Sequence, residues 1–165
     1  MGLFDKLFGK KEEINPNHVY APMAGEAVAI SQVPDPTFAE GLLGNGIAIQ
    51  PTDGKVYAPV NGTVDTMFDT GHAVSLISDN GIEILIHVGL ETVGLNGAPF
   101  QVKVTSGQKV KKGDLLMIAD LEAIKAAGLP TITPVLVCNS DDYTTFNVTT
   151  GKAVTTADVA IEVGK

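Results

Sequence analysis

Thr70 to Gly89 reads TGHAVSLISDNGIEILIHVG, and the fold class turns on this stretch. Its two apolar, β-branched runs, HAVSLIS and IEILIHV, flank Asp79-Asn80-Gly81, residues that tolerate the positive φ of a tight reversal, so an antiparallel hairpin is predicted. The same stretch holds two of the three histidines in the chain. With Asp79-Asn80 as the turn, Ser78 faces Gly81 and His72 lies opposite His87; with Asn80-Gly81 as the turn, the histidines are diagonal neighbours. Either even loop puts both imidazoles on one face, whereas a three-residue loop would send them to opposite faces. In the even register Ala73, Ser75 and Ile77 join Ile82, Ile84 and Ile86 on the core side. Val74, Leu76 and Leu85 then accompany the histidines in an apolar patch interrupted only by Glu83. Two ring nitrogens inside such a patch predict a docking surface with a reactive centre.

A lone histidine in a strand is usually half-buried with one satisfied hydrogen bond, and it is the convergence of two on one hairpin that argues for more. Catalytic zinc is the next candidate. It normally takes three protein ligands, and no further Cys, His or Asp stands at ligand spacing.

The whole chain supports a β-rich reading. Its 165 residues fit one domain able to bury about 70% of its unfolded surface. Eighteen glycines, nine prolines, no Trp and many short Val/Ile/Ala runs describe an all-β protein, an antiparallel β-sandwich or barrel-sandwich with one or two short helices. A formal charge of −8 argues against nucleic acid and favours a basic protein partner. The single cysteine, Cys138, cannot form an internal disulfide and reads as a small buried hydrophobe of the strand PVLVC. With no secretory signal, a reducing cytoplasm is expected.

Residues 1–11, MGLFDKLFGKK, can form a short amphipathic helix with Leu3, Phe4, Leu7 and Phe8 on one side. Such a tail makes weak, reversible contact with an anionic membrane surface, so a peripheral position at the inner membrane face is compatible with this sequence. Residues 12–17 read as a polar linker, giving a tail and linker over 1–17 and one domain over 18–165. That domain opens with a repeat: Val19-Tyr20-Ala21-Pro22-Met23-Ala24-Gly25 is echoed by Val56-Tyr57-Ala58-Pro59-Val60-Asn61-Gly62, which implies two equivalent strand-turn units. Gly107 to Ile118 supplies a third turn unit, and His18 reads as a solvated loop residue. Asp35-Pro36 starts a helix of a turn or two that displays Phe38, and Asp120 to Gly128 is a second helix capped by Asp120 and Gly128.

Taken together, APMAGE, VPDPTFAEGLLGNGIAI, APVNGTV, TGHAVSLISDNGIEILIHVGLETV, GQKVKKGD and TPVLVCNSDD resemble the glucose-family enzyme IIA proteins of the bacterial phosphoenolpyruvate-dependent sugar phosphotransferase system. The most specific element is T-x-H, a hairpin and H-V-G-x-x-T-V in that order. The resemblance implies a flattened antiparallel β-sandwich with the histidines in a shallow depression, and an enzyme IIA phosphocarrier domain over 18–165. It implies that His87 takes the phosphoryl group, that His72 is needed to pass it on, and that Thr70 orients the pair. Asp141 falls where the family has an acidic residue near the site. A docking surface of Asp35, Phe38, Phe68, Val74, Leu85, Val88, Glu91 and Val93 is implied as well, with Val74 and Val88 standing where familiar members carry Phe. The implied donor is the histidine-containing phosphocarrier protein, the acceptor a cysteine of the IIB domain of a sugar permease, and regulated uptake proteins or enzymes are further partners. No cofactor is required. A zinc ion shared by His72 and His87 with a partner's carboxylate is possible by resemblance, as a regulatory contact.

The chemistry agrees with the residues present. An imidazole of ordinary pKa is mostly neutral at pH 7, so a ring nitrogen can attack phosphorus without a general base, and phosphoryl transfer asks mainly for in-line positioning and charge stabilisation. His72, Thr70 and backbone N–H groups near Gly71 and Gly89 are the expected donors to the phosphoryl oxygens. The competing reading from another class is a biotinyl or lipoyl swinging-arm carrier, since the A-P-x-x-G and V-x-x-G-D turns occur there too and Glu122-Ala123-Ile124-Lys125 resembles an acceptor sequence. Such a lysine belongs at a hairpin tip, whereas Lys125 falls inside a predicted helix. A zinc peptidase is disfavoured for want of ligands and a general base.

Overall fold

The structure, a computed structural model, describes residues 14–165. The amphipathic helix expected over 1–11 lies outside them. The described chain is mostly β. Strands β1 (His18–Tyr20), β2 (Gly25–Ala29), β3 (Asn45–Pro51), β4 (Lys55–Tyr57), β5 (Gly62–Met67), β6 (Ala73–Ser78) and β7 (Glu83–His87) make up its first half. Strands β8 (Phe100–Val102), β9 (Lys109–Val110), β10 (Leu115–Ala119), β11 (Thr133–Val137), β12 (Thr145–Val148), β13 (Lys152–Val154) and β14 (Val159–Gly164) follow. Among the described residues there are two short α-helices, α1 (Pro36–Ala39) and α2 (Leu121–Ala126). All strand pairings are antiparallel: an eight-stranded sheet in the order β13-β2-β3-β11-β7-β6-β5-β9 packs against two three-stranded sheets, β1-β14-β12 and β4-β10-β8. The main core fills the space between them, with Ile47, Ile49, Val74, Leu76, Ile84, Ile86, Val135 and Val137 pointing inward from the large sheet. A second, smaller core lies on the outer face, where Val33, Phe38, Ala48, Leu90, Ile132 and Leu136 cluster with Leu85 packed against them. Covered on both sides, β11 is buried at every position, which suits its unbroken apolar sequence.

The repeat seen in the sequence is the hinge of the architecture. Tyr20 N–H donates to the Pro59 carbonyl at 3.0 Å and Tyr57 N–H to the Pro22 carbonyl at 2.7 Å, so the two copies bind each other reciprocally. Ala21 N–H reaches the Asp158 carbonyl at 2.9 Å and Ala58 N–H the Asp114 carbonyl at 2.8 Å. The Gly107–Ile118 unit therefore has a partner the sequence reading missed, Gly151–Val163. Its cue was the shared pattern of a carboxylate three residues after a backbone donor: Lys111 N–H to Asp114 and Thr155 N–H to Asp158, both 2.8 Å. The repeated glycines have a steric cause. A Cβ at Gly25 would stand 2.3 Å from the Gln50 carbonyl, and one at Gly62 2.2 Å from that of Ile77.

The hairpin register differs from both even-loop expectations. Ala73 pairs with His87 and Ile77 with Glu83, so three residues, Asp79-Asn80-Gly81, form the loop. Ser78 N–H donates to the Ile82 carbonyl at 2.9 Å, the Ser78 hydroxyl accepts from Ile82 N–H at 2.9 Å, and Gly81 takes φ 90 at the last loop position, the geometry of a three-residue hairpin. The faces of β6 are accordingly exchanged: Val74 and Leu76 enter the core, while Ser75 and Ile77 face outward with Leu85 and His87.

Other expectations sort in the same way. Helix α2 forms as read, with Asp120 accepting from Ala123 N–H at 3.1 Å and Gly128 at φ 79. Helix α1 begins at Asp35, whose carboxylate accepts from Thr37 N–H at 3.0 Å, but Phe38 is buried in the outer core and not displayed. His18 is the first residue of β1 and meets Glu162 at 3.0 Å, not a loop residue. Strand β11 stops at Val137, leaving Cys138 exposed where a buried hydrophobe was expected. Among the described residues, no helix is long and apolar enough to cross a membrane.

Candidate functional site

His72 and His87 meet despite the odd loop. Parity governs side chains only while a strand lasts, and β6 starts at Ala73; Gly71, at φ +71, turns the chain just before it. The His72 carbonyl still accepts from Val88 N–H at 2.7 Å, and the two rings pack edge to face with centroids 5.0 Å apart. Phe68 stands edge-on to His72 at 5.5 Å, and Phe38 lies tilted against His87 at 5.0 Å, so two aromatic side chains bracket the pair. His72 is buried at 5% exposure and His87 is half-buried, which leaves His87 as the one a visiting group can reach.

Each Nδ1 is occupied. That of His87 lies 2.8 Å from the Gly89 carbonyl; a carbonyl only accepts, so Nδ1 carries the proton and Nε2 presents a lone pair. That of His72 is 2.5 Å from the Thr70 hydroxyl. Among the described residues neither Nε2 has a hydrogen-bond partner. Burial lowers the pKa of His72 from 6.5 to about 4, assisted by the neighbouring His87. Burial lowers that of His87 too, opposed by the Gly89 carbonyl and by the Asp35 carboxylate. Both rings are thus neutral at pH 7, the form in which a ring nitrogen is a nucleophile.

The surrounding residues divide. Phe68, 39% exposed, and Val93, 51% exposed, are open apolar surface, Leu85 is half-buried on the histidine face, and Glu91 is exposed in a left-handed conformation at φ 58. Asp35 is half-buried at the start of α1. Val74 and Val88 are fully buried and cannot touch a partner; in the observed register Val74 faces the main core, which also takes Val88. Asp141 is not brought to the histidines. It lies in a 3-10 turn (Ser140–Asp142) tethered by Asn139 to Glu83 N–H and the Gly81 carbonyl, both 3.0 Å, at the other end of β7. That is about 13 Å along the strand from His87. Lys125 sits in the last turn of α2 with its ammonium 3.4 Å from Glu122, away from any hairpin tip. Leu42 and Leu43, 68% and 42% exposed, were overlooked; bracketed by Gly41 and Gly44 directly after α1, they extend the apolar surface beyond Phe38.

Two donors are half of a tetrahedral zinc shell, and among the described residues no group of three or more His, Cys, Asp or Glu is placed to hold a metal ion.

Residues 17–143 match the family model described as phosphoenolpyruvate-dependent sugar phosphotransferase system, EIIA 1. The chain is similar to the PTS system glucose-specific EIIA component of Staphylococcus epidermidis, 42% identical over 160 residues covering 96% of each chain. It is 44% identical over 153 residues to the protein of that name in Bacillus cereus, covering 93% of each. Among solved structures it is similar to the glucose permease IIA from Mycoplasma capricolum, with a TM-score of 0.80 and 34% identity over 87% of this chain and 94% of that one. Matched by the family model over most of its length and by these relatives almost end to end, the chain belongs to the glucose-family EIIA components of the phosphoenolpyruvate-dependent sugar phosphotransferase system.

Proposed function

We propose that this chain is a phosphoryl carrier working through a phosphohistidine at Nε2 of His87. The observation that carries the reading is the His87 Nδ1–Gly89 hydrogen bond, which leaves Nε2 of a neutral ring as an available lone pair at the protein surface. In the first step an Nε2–P bond forms as the N–P bond of the histidine-containing phosphocarrier protein breaks; in the second an S–P bond to a cysteine of a permease IIB domain forms as Nε2–P breaks. His72 acts beside it. With the Thr70 hydroxyl donating to its Nδ1, its Nε2–H is free to donate to a phosphoryl oxygen, and backbone N–H groups near Gly71 and Gly89 are further donors. Phe68, Leu85, Val93, Leu42 and Leu43 form the apolar rim that excludes water in the docked complex, with Asp35 and Glu91 as its acidic contacts for a basic partner. Any zinc would draw on the two Nε2 atoms, with His72 in its other tautomer and its Nδ1–H donating to the Thr70 hydroxyl, and need two more ligands from a partner, a regulatory contact outside the transfer itself. The location proposed is the cytoplasm, with regulated uptake proteins or enzymes as further partners.

Incubation with phosphoenolpyruvate, enzyme I and the phosphocarrier protein should add one acid-labile phosphate to the chain and none to His87→Ala. His72→Ala should load but fail to pass the group to a IIB domain; failure of both steps alike would overturn the division of roles. An intact mass unchanged by biotin or lipoate excludes the swinging-arm alternative at Lys125.

A further inference from the structure

Resting on the assignment of His87 as the phosphoryl acceptor, we infer that Thr92 is a positioning residue that holds His87 in its Nδ1–H tautomer by anchoring the Val88–Gly89 backbone. The geometry is a short relay. Thr92 is fully buried, and its hydroxyl donates to the Val88 carbonyl at 2.6 Å. Val88 N–H, in the peptide unit before, donates to the His72 carbonyl, so the one residue that Thr92 holds is bonded to His72 and directly follows His87. The Thr92 methyl closes the other side: a Cβ on Gly89 would stand 2.7 Å from Thr92 Cγ2 and 2.8 Å from the Pro130 carbonyl. Leu90 N–H is itself held by that Pro130 carbonyl at 3.2 Å. With the carbonyl before Gly89 bound, its Cα packed and the following N–H bound, the Gly89 carbonyl has one direction left, and it points at Nδ1–H of His87, 2.8 Å away.

The threonine is needed for both of its branches. The hydroxyl satisfies a buried carbonyl that would otherwise be unpaired, and the methyl packs against the left-handed glycine at φ +73. The segment is entered through Glu91 at φ 58, a conformation unfavourable for a residue with a side chain and sustained where surrounding bonds over-determine it. Tautomer choice at a ring nitrogen is set by the hydrogen bond the other nitrogen makes, so an anchor two bonds removed from the ring still decides which nitrogen is the nucleophile. In the sequence, Thr92 is the T of H-V-G-x-x-T-V.

The test is the ring nitrogen-15 spectrum of the full, unphosphorylated chain at pH 7.5, read beside the loading rate. In the wild type His87 should show a protonated Nδ1 and a bare Nε2. Thr92→Val keeps the shape and loses the hydroxyl; the separation between the two ring signals should narrow by about a third or more as the other tautomer appears. Loading from the phosphocarrier protein should slow by about tenfold, as expected when a reacting group is misplaced from a distance. Thr92→Ser, which restores the hydroxyl, should recover both. Unchanged His87 ring signals in a folded Thr92→Val, or a Thr92→Ser as damaged as Thr92→Val, would overturn the inference. Should Thr92→Val not fold, Thr92→Ala, which adds no bulk, is read the same way. The spectra need no phosphoryl donor, so a wild type that does not load at all counts against the proposed function, while the tautomer result stands by itself.

Discussion

The eight-stranded sheet consists of two like halves, β13-β2-β3-β11 and β9-β5-β6-β7, joined where Val135 faces Ile86. Gly25 lies opposite Val154 and Pro51 in one half, Gly62 opposite Val110 and Ser78 in the other. One step further in, Ile49 faces Thr133 and Leu76 faces Ile84. Followed through, this register equates Leu136 with His87 and Asn45 with His72. The scaffold is built twice and the chemistry once. What differs is the connection between matched strands: residues 30–44 join β2 to β3, whereas only residues 68–72 join β5 to β6. The long connection folds over the sheet, buries Leu136 and sets Phe38 against His87. The silent half thereby supplies the wall of the reactive one.

His87→Leu writes the silent half's residue into the reactive half and should have the largest effect. Phosphate incorporation is expected to vanish, while thermal unfolding shows a stability change of no more than about 1 kcal/mol, because an apolar side chain in place of a desolvated imidazole beside Phe38 offsets the Gly89 carbonyl left without its donor. Residual loading would break the comparison. Next in size is the pair of aromatic walls. Phe38→Ala should cost about 3–5 kcal/mol in urea unfolding, since it empties the outer core. Phe68→Ala should cost less than about 1 kcal/mol, because its ring is already open to solvent. Equal losses would mean that the two connections do not differ in the way proposed.

These contrasts show where the sequence was legible. The repeat, the antiparallel β class, the caps at Asp35 and Asp120, and the pairing of His72 with His87 are local signals: matched letters, a side-chain oxygen before an apolar run, two strands around a turn. The loop length was not, because Asp-Asn-Gly serves a two-residue or a three-residue reversal equally well, and the choice fell to the Ser78 hydroxyl and to which face the other sheets cover. That single slip placed Val74 on the docking surface and hid the outward path of Ser75 and Ile77. The burial of Phe38 and the distance of Asp141 depend on contacts between residues dozens of positions apart, to which no periodicity points. The bond from His87 to the Gly89 carbonyl, though only two residues away, depends on a left-handed turn at Gly89 that a repeat of two does not describe.

Acid should separate the halves again. A histidine whose folded pKa lies below its unfolded one takes up its proton more readily when unfolded, so stability is full above pH 6.5 and falls as the pH drops toward the folded value. For His72, going from 6.5 to about 4, the loss between pH 7.5 and pH 5 is about 2 kcal/mol. His72→Asn, which copies the matching residue Asn45, should remove that part of the pH dependence in unfolding measured at the two values. A variant as acid-sensitive as the wild type would assign the effect elsewhere.

The smallest effect should come where the halves agree. Asp114 and Asp158 stand at matched turns: each carboxylate accepts from the backbone N–H three residues earlier at 2.8 Å, and each carbonyl accepts from the alanine of a Tyr-Ala-Pro repeat. Removing either carboxylate deletes its hydrogen bond to a turn N–H that water can partly replace, and at Asp158 also a long 3.5 Å bond from the exposed Thr155 hydroxyl, so Asp114→Ala and Asp158→Ala should each cost about 1 kcal/mol. The two costs should agree to within about 0.5 kcal/mol and add in the double variant, since separate sites without shared partners are additive. Phosphoryl loading should be untouched in both, because neither turn contacts the histidines. A large asymmetry would show that the two closures are alike in hydrogen bonding only, and that the half carrying the chemistry leans on one of them more heavily.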